Sequence, residues 1–247
     1  MDNKRNIKCE ISYDGTDFHG FQVQPKQRTV QGELMNSIYK LTKEEVNIFA
    51  SGRTDAGVHA KKQVCNFYTD SDIPAAKWKN ALNAVLPDGI IILNSTEVPS
   101  AFHSRYDAKE KTYRYHISNN KSLDLFRRRY VWHYPYDLNV VEMKKASKIF
   151  LGEHDFTAFS SAKTKIENKV RNIYQSEIWE ENNEIIYQIT GNGFLYNMVR
   201  IIVGTLVDFG GNRIKVEDIE EVLNSKDRNN AGKTAPAKGL FLWDIKY

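Results

Sequence analysis

The 247-residue chain has only two cysteines, Cys9 and Cys65, and they form no paired motif. This excludes a disulfide scaffold and a cysteine-based zinc site, and it fits a reducing compartment. No apolar run approaches membrane-spanning length, and the first residues enter a strand pattern without an apolar signal segment. A soluble cytoplasmic protein without a membrane partner is the expectation. Neither sign of charge is in large excess. Thirty-five Lys and Arg against 31 Asp and Glu leave a formal charge of +4, which permits a nucleic-acid partner but does not demand one. A complete nucleotide-binding loop is also missing. Ala231-Gly232-Lys233-Thr234 looks like the end of a phosphate-binding loop, but the earlier glycine would fall at position 227, which is Asp227. Gly191-Asn192-Gly193-Phe194 lacks a dinucleotide fingerprint, so no nucleotide cofactor is expected. The histidines are scattered singly. His59 follows Asp55 by four residues, but Gly57 lies between them and no shared helical face results, which reads against a metal site.

Hydrophobic residues make up 41% of the chain and aromatics 12%, so a packed core is expected and disorder is not. Ile7, Cys9, Ile11 and Tyr13 alternate with polar residues as a half-buried strand, with Cys9 a core residue. Residues 18–27 read as a loop. Thr29 caps a helix with the stripe Val30, Leu34, Ile38 and Leu41. Val46, Ile48 and Ala50 suggest a short strand, and residues 63–68 another. Pro74 opens a helix carrying Trp78, Ala81, Leu82 and Val85, and Ile90–Leu93 resumes a strand. Strand, helix, strand, strand, helix, strand is a ferredoxin-like α+β order. Further on, strands are expected around residues 113–117 and 130–134, then a helix through Val140, Met143, Ser147 and Phe150 stopped by Gly152. Residues 170–179 and 185–190 read as two strands joined through Glu181-Asn182-Asn183-Glu184, a hairpin signal. A strongly apolar helix through Leu195, Met198, Val199, Ile202 and Leu206 ends at Gly210-Gly211. A short helix near residues 219–223 and a final strand with Phe241, Trp243 and Ile245 follow. With no Gly/Ser-rich linker, the expectation is an α+β chain of two similar ferredoxin-like or RRM-like units, residues 1–104 and 105–247. They would share one extended, mainly antiparallel sheet with helices on one side.

The chain is organised around Ala50-Ser51-Gly52-Arg53-Thr54-Asp55-Ala56-Gly57-Val58-His59-Ala60. Two glycines flank a compact Arg-Thr-Asp core, as a loop leaving a strand end would require. A surface turn with an exposed aspartate explains these residues as well as a reactive site does. A carboxylate there can serve as nucleophile, general base or ligand. Arg53 taken alone is a solvated arginine, and Tyr113, in Lys111-Thr112-Tyr113-Arg114-Tyr115, is a core or interface aromatic. Tyr115, on the same strand face, reads as core. Arg200 is the odd charge in a run of Met198, Val199, Ile201, Ile202 and Val203. Burying it is costly unless it is paired, and Asp55 is the expected partner, kept ionised by the opposite charge. Lys61, Lys62, Lys109, Lys111, Arg114, Arg127, Arg128, Arg129, Lys163, Lys165, Lys169 and Arg171 form small basic clusters. Each reads as a solvated face, with some available to the phosphates of a nucleic acid.

The segment Gly52–His59 resembles the signature of the tRNA pseudouridine synthase A family residue for residue. Other stretches match the same family in the same order: Tyr13-Asp14-Gly15-Thr16, Gly20-Phe21-Gln22 with Gln24, Phe102-His103-Ser104-Arg105, Lys111–Tyr115, Gly152–Phe156, Phe194–Arg200, Ala231–Pro236 and Gly239-Leu240. Phe21, where the family often has Trp, and Ser104, where a small apolar residue is common, are departures outside the proposed chemistry. The resemblance implies the pseudouridine synthase fold and conversion of uridine to pseudouridine at positions 38, 39 and 40 in the anticodon arm of tRNA. It makes Asp55 the catalytic nucleophile, attacking the uracil ring or the ribose. It places Tyr113 in the uridine pocket, stacking on the base and assisting proton transfer, and sets Arg53 against RNA near the flipped base. The family works as a homodimer with RNA spanning both subunits, and its chemistry needs no cofactor. A non-catalytic RNA-binding module of the same fold and a paralogue acting on another RNA are the rival readings. Intact Arg53, Asp55, Tyr113 and Arg200 speak against the first.

Overall fold

The computed structural model describes residues 4–162, 166–214 and 216–247. The fold is α+β, with few helices and a large, mainly antiparallel sheet. The chain divides into two compact units, Met1–Lys109 with Leu242–Tyr247, and Glu110–Phe241.

In the first unit the order is β1 (Arg5–Tyr13), α1 (Val30–Thr42), β2 (Ile48–Ala50), β3 (His59–Thr69), α2 (Trp78–Asn83) and β4 (Ile90–Val98). β1 pairs antiparallel with both β3 and β4, and β2 pairs antiparallel with β3. This is the strand arrangement of a ferredoxin-like unit, in which β1 and β2 flank β3. The alternation of β1 buries Ile7, Cys9, Ile11 and Tyr13, and Cys9 faces Cys65 across the ladder, both free thiols deep in the core. Burial pushes the Cys65 thiol up to about 12. Thr29 caps α1 as its sequence requires, accepting from the Gly32 N–H at 3.2 Å, and Val30, Leu34 and Ile38 are buried. Trp78 opens α2 and meets Phe67 of β3 edge-on at 5.1 Å. β3 begins at His59, four residues before the start read from its pattern. His59 and Ala60 at the end of the central stretch are therefore strand residues, because their burial continues into the ladder with Tyr13.

In the second unit the order is β5 (Glu110–Ser118), β6 (Trp132–His133), α3 (Val140–Ala146), β7 (Gly152–Asp155), β8 (Val170–Glu181), β9 (Glu184–Gly191), α4 (Met198–Gly210) and α5 (Val216–Ser225), leading into β10 (Leu240–Lys246). β9 lies between β5 and β8, antiparallel to both, and β7 pairs with the other edge of β8. The strand expected over 130–134 is only the two residues of β6, running parallel to β5. β7 is a strand that no alternation announces, since Gly-Glu-His-Asp has no apolar face. The β8–β9 turn has Asn182 and Asn183 both at positive φ (50° and 62°), the backbone of a two-residue type I′ hairpin. α4 is buried on nearly all sides, which its uninterrupted apolar sequence anticipates. The segment after α5 crosses it closely. A Cβ on Gly204 would stand 1.7 Å from the Lys233 carbonyl oxygen, so only glycine permits that approach.

Candidate functional site

Asp55 lies in the connection between β2 and β3, residues 51–58, in the first unit. The loop has few apolar side chains, so hydrogen bonds and close backbone packing give it shape. Ser51 N–H donates to the Val64 carbonyl at 2.9 Å, the last rung next to β3. The Thr54 carbonyl accepts from Phe21 N–H at 3.1 Å, Gly57 N–H donates to the Phe18 carbonyl at 3.3 Å, and Val58 N–H closes a turn on the Asp55 carbonyl at 3.1 Å. Tyr13 Oη and Thr54 Oγ1 are 2.7 Å apart, both side chains buried. Gly20 holds φ +85°, and a Cβ there would be 2.7 Å from the Thr54 carbonyl oxygen and 3.2 Å from Ala56 N. The Gly20-Phe21 motif is thus the seat of the aspartate loop, and its glycine is a steric requirement. Phe21 packs its ring 6.2 Å from that of Tyr13, so this departure from the family pattern sits against the loop's supports. At the loop's far end His59, 1% exposed, accepts from Gly15 N–H at Nδ1 (3.0 Å) and lies 3.1 Å from Asp14 Oδ1, tying the end of β1 to the start of β3. The result is an exposed Arg53 and a half-buried Asp55 on a braced loop.

Ser104, the second departure, is fully buried, and its hydroxyl and N–H both donate to Asn66 Oδ1, at 2.7 and 2.9 Å. Asn66 also donates to Asn6 at 2.9 Å. The serine is therefore accommodated by a buried polar ladder that an apolar residue there would leave short of a donor.

Tyr113 and Arg200 belong to the second unit. Tyr113 lies on β5 opposite Ile189 of β9, is 8% exposed, and meets Phe194 edge-on at 5.1 Å. Arg200, in the first turn of α4, is half-buried. Its Nε donates to the Ala235 carbonyl at 2.7 Å and its Nη1 to Asn197 Oδ1 at 2.9 Å, while Ala235 N–H donates to the Arg200 carbonyl at 3.0 Å. Asn197 sits at φ +61° as the residue before α4, so its side chain serves the arginine instead of capping the helix. Phe194–Asn197 therefore touches both Tyr113 and Arg200. The Ala231–Pro236 stretch is a strap: Gly232 N–H donates to Thr205 Oγ1 at 2.9 Å, and Lys233 Nζ lies over the Trp132 ring at 5.1 Å. Its one glycine, Gly232, serves close packing on α4, since a Cβ there would stand 2.7 Å from Thr205 Cα. Tyr115 is a core residue whose hydroxyl donates to the Pro236 carbonyl at 2.7 Å. Burial raises its phenol far above the ordinary range, with the Arg200 charge pulling the other way.

A family model described as tRNA pseudouridine synthase matches residues 11–107 and 146–247. The chain belongs to the tRNA pseudouridine synthase family. It is 50% identical over 244 residues to tRNA pseudouridine synthase A of Anoxybacillus flavithermus, covering 98% of this chain and 99% of that protein. It is 50% identical over 243 residues to the protein of that name from Brevibacillus brevis (98% and 100% covered), and 47% identical over 243 residues to that of Bacillus subtilis (98% and 98%). The matched segments include the aspartate loop, α4 and the strap. Tyr113 falls between them, inside the full-length similarity to the relatives.

Several basic residues singled out in the sequence are engaged within their own unit. Lys62 pairs with Asp244 at 3.0 Å. Arg127 pairs with Glu184 at 2.7 Å. Arg114 bonds Gln188 at 2.7 Å and lies over Trp179, and Arg171 donates to the carbonyls of Asn168 and Val170. Lys61, Lys109, Arg128 and Arg129 are exposed, and Lys163 and Lys165 lie outside the described residues. Among the described residues no cluster of three His, Cys, Asp or Glu is arranged to hold a metal, and no helix is long and apolar enough to cross a membrane. The sequence did not single out Tyr13, Thr54, Gln63 and Asn197 for the roles they take here. Tyr13, Thr54 and Asn197 stand inside matching motifs, and Gln63 does not.

Proposed function

We propose that this chain is an RNA-modifying isomerase that converts uridine to pseudouridine in tRNA, at positions 38, 39 and 40 of the anticodon arm. The observation that carries this reading is an unbroken Gly52–His59 motif that presents a half-buried carboxylate on a braced loop. The relatives' name, at about half identity over nearly the whole chain, supports the reaction class. The C1′–N1 bond breaks, the uracil turns, and a C1′–C5 bond forms. The C5 proton leaves and N1 takes one up, so the product is an isomer, nothing is oxidised or reduced and no outside group enters. Asp55 is the nucleophile, at the ring or at the ribose, and Arg200 keeps it ionised. Tyr113 stacks on the extruded base, with its hydroxyl placed for proton transfer. Arg53, exposed beside Asp55, takes the RNA backbone or a vacated stack. The working form on this reading is a cytoplasmic homodimer with one tRNA spanning both subunits.

Tritium release from tRNA labelled at uridine C5 tests the reaction. Wild-type protein is expected to release label and Asp55→Asn to bind tRNA without release. Binding without release by the wild type would make this a non-catalytic RNA-binding module. Release from another RNA but not from the anticodon arm would mark it as a paralogue with a different substrate. Sedimentation in the absence and presence of tRNA tests the dimer, and a monomer in both would remove it.

A further inference from the structure

From Ser51 to Gly57 the aspartate loop is built of Ser, Gly, Arg, Thr, Asp, Ala and Gly, so its conformation depends on what its polar groups bond. Two buried side chains from adjacent strands take up that task. Gln63 of β3 is 0% exposed. Its Nε2 donates to the Gly52 carbonyl at 2.8 Å, and its Oε1 accepts from the Ser51 hydroxyl and from Val64 N–H at 3.1 Å. Tyr13 of β1, also buried, has its hydroxyl 2.7 Å from Thr54 Oγ1. Gln63 thus ties the loop at Ser51 and Gly52, and Tyr13 ties it at Thr54. Arg53 lies between the two ties, and Asp55 is the first residue beyond them.

We propose that Gln63 and Tyr13 are positioning residues for the nucleophile: their hydrogen bonds to Ser51, Gly52 and Thr54, on either side of Arg53, set the turn there and so aim Asp55. This rests on the reading of Asp55 as nucleophile. Neither side chain is assigned to the substrate; both act through the loop. A displacement of the reacting carboxylate by about 1 Å costs on the order of a hundredfold in rate. A site whose supporting shell is not held in place is left about 1 Å too loose.

Gln63→Met keeps the length and removes the hydrogen bonds, and Tyr13→Phe removes only the hydroxyl. Each is expected to lower kcat by about 10- to 100-fold, with KM for tRNA within about twofold of wild type and native circular dichroism at the assay temperature. A rise in KM that accounts for the whole loss, or a wild-type kcat in both variants, overturns the inference. Gln63→Glu supplies a readout that a merely structural role would not move. As a neutral acid, Glu at 63 can donate its O–H to Gly52 and accept from Ser51 on the other oxygen; as a carboxylate it only accepts. Burial raises a carboxyl pKa, so the donor is present at the lower pH. The ratio of variant to wild-type kcat is expected to fall at least tenfold between pH 6 and pH 8 while both proteins stay folded. Among the described residues, burial raises Tyr13, Cys65 and Tyr247, which interact with this network, away from that range, and Asp55 beside Thr54 is the same in both proteins, so the ratio removes its own contribution. A flat ratio in the folded variant overturns the inference. If Gln63→Met does not fold, Tyr13→Phe and the pH ratio of Gln63→Glu decide it. Asp55→Asn is assayed alongside. Turnover in Asp55→Asn fails the nucleophile assignment, whereas a dead Asp55→Asn with fully active Gln63→Met and Tyr13→Phe fails only the positioning inference.

Discussion

The same place in the two units is filled in opposite ways. β1, α1, β2 and β3 of the first unit have their counterparts in β5, α3, β8 and β9 of the second, with the strands paired in the same order. In the second unit the corresponding hairpin is closed by the shortest common means, Asn182 and Asn183 in the left-handed region, with a 3.3 Å hydrogen bond from the Asn120 amide to the Asn183 carbonyl. In the first unit residues 51–58 occupy that position, and they are held by Tyr13, Phe18, Phe21, Gln63 and Val64. A connection longer than the ladder requires, and fixed by partners far away in sequence, points to a use other than joining two strands. The second unit supplies its candidate residues from regular elements instead: Tyr113 from a strand, where the ladder fixes it, and Arg200 from the first turn of a helix, where the strap fixes it.

The largest effect expected is at Asp55. Asp55→Asn is nearly isosteric on a loop whose other bonds are intact, so it should fold and bind tRNA. Turnover should fall on the order of 10⁴-fold or more, as when other nucleophiles are removed. Pseudouridine formation measured in single turnover would show it, and a fully active variant would leave the long loop without a chemical purpose. Arg200→Met comes next. It strips the Ala235 carbonyl and Asn197 of their charged donor, and an unsatisfied buried acceptor costs about 1–3 kcal/mol. It should also lose activity through Asp55. A double-mutant cycle with Asp55→Asn, read in unfolding free energies, isolates that pairing. Additivity within about 0.5 kcal/mol would show that Arg200 serves the strap alone.

Much of this contrast was legible in the chain, for reasons particular residues make plain. The alternation of Ile7, Cys9, Ile11 and Tyr13, the Thr29 cap and the Asn182-Asn183 turn are local features, and each is realised as read. β7 was hidden because Gly152–Asp155 is an edge strand with no buried apolar face. The strap was hidden because the reason for Gly204 is a carbonyl 29 residues away in sequence, that of Lys233. Gln63 read as an ordinary strand residue, since nothing nearby in sequence says that its amide faces Ser51 and Gly52 rather than solvent. Motifs marked where support was needed, but the supporting contacts are long-range and polar, and periodicity does not report those.

A smaller effect separates the seat of the loop from its chemistry. Gly20→Ala puts a Cβ at φ +85° and 2.7 Å from the Thr54 carbonyl, so the backbone of one segment must move. Strain of this kind costs about 1–3 kcal/mol, readable as a drop in unfolding free energy. Because the segment that moves is the aspartate loop, kcat should fall with it. A variant that loses stability but keeps kcat would show that the loop tolerates displacement.

The smallest effect belongs to the other hairpin. Asn183→Gly replaces a residue at φ +62° by the one that adopts this backbone without steric cost. Asparagine already tolerates the left-handed region better than most residues, so the relief is small, and the added freedom of glycine in the unfolded chain offsets part of it. The unfolding free energy should stay within about 1 kcal/mol of wild type. Turnover and tRNA affinity should not change, because the substitution keeps the backbone carbonyl that accepts from Asn120 and the turn carries no residue assigned to the reaction. Asn183→Val, β-branched at a positive φ, should lose about 1–2 kcal/mol with kcat still unchanged. A fall in kcat or in tRNA affinity for Asn183→Gly would mean that this short turn reaches the RNA. The two hairpins would then differ in how they are braced but not in whether they serve the reaction.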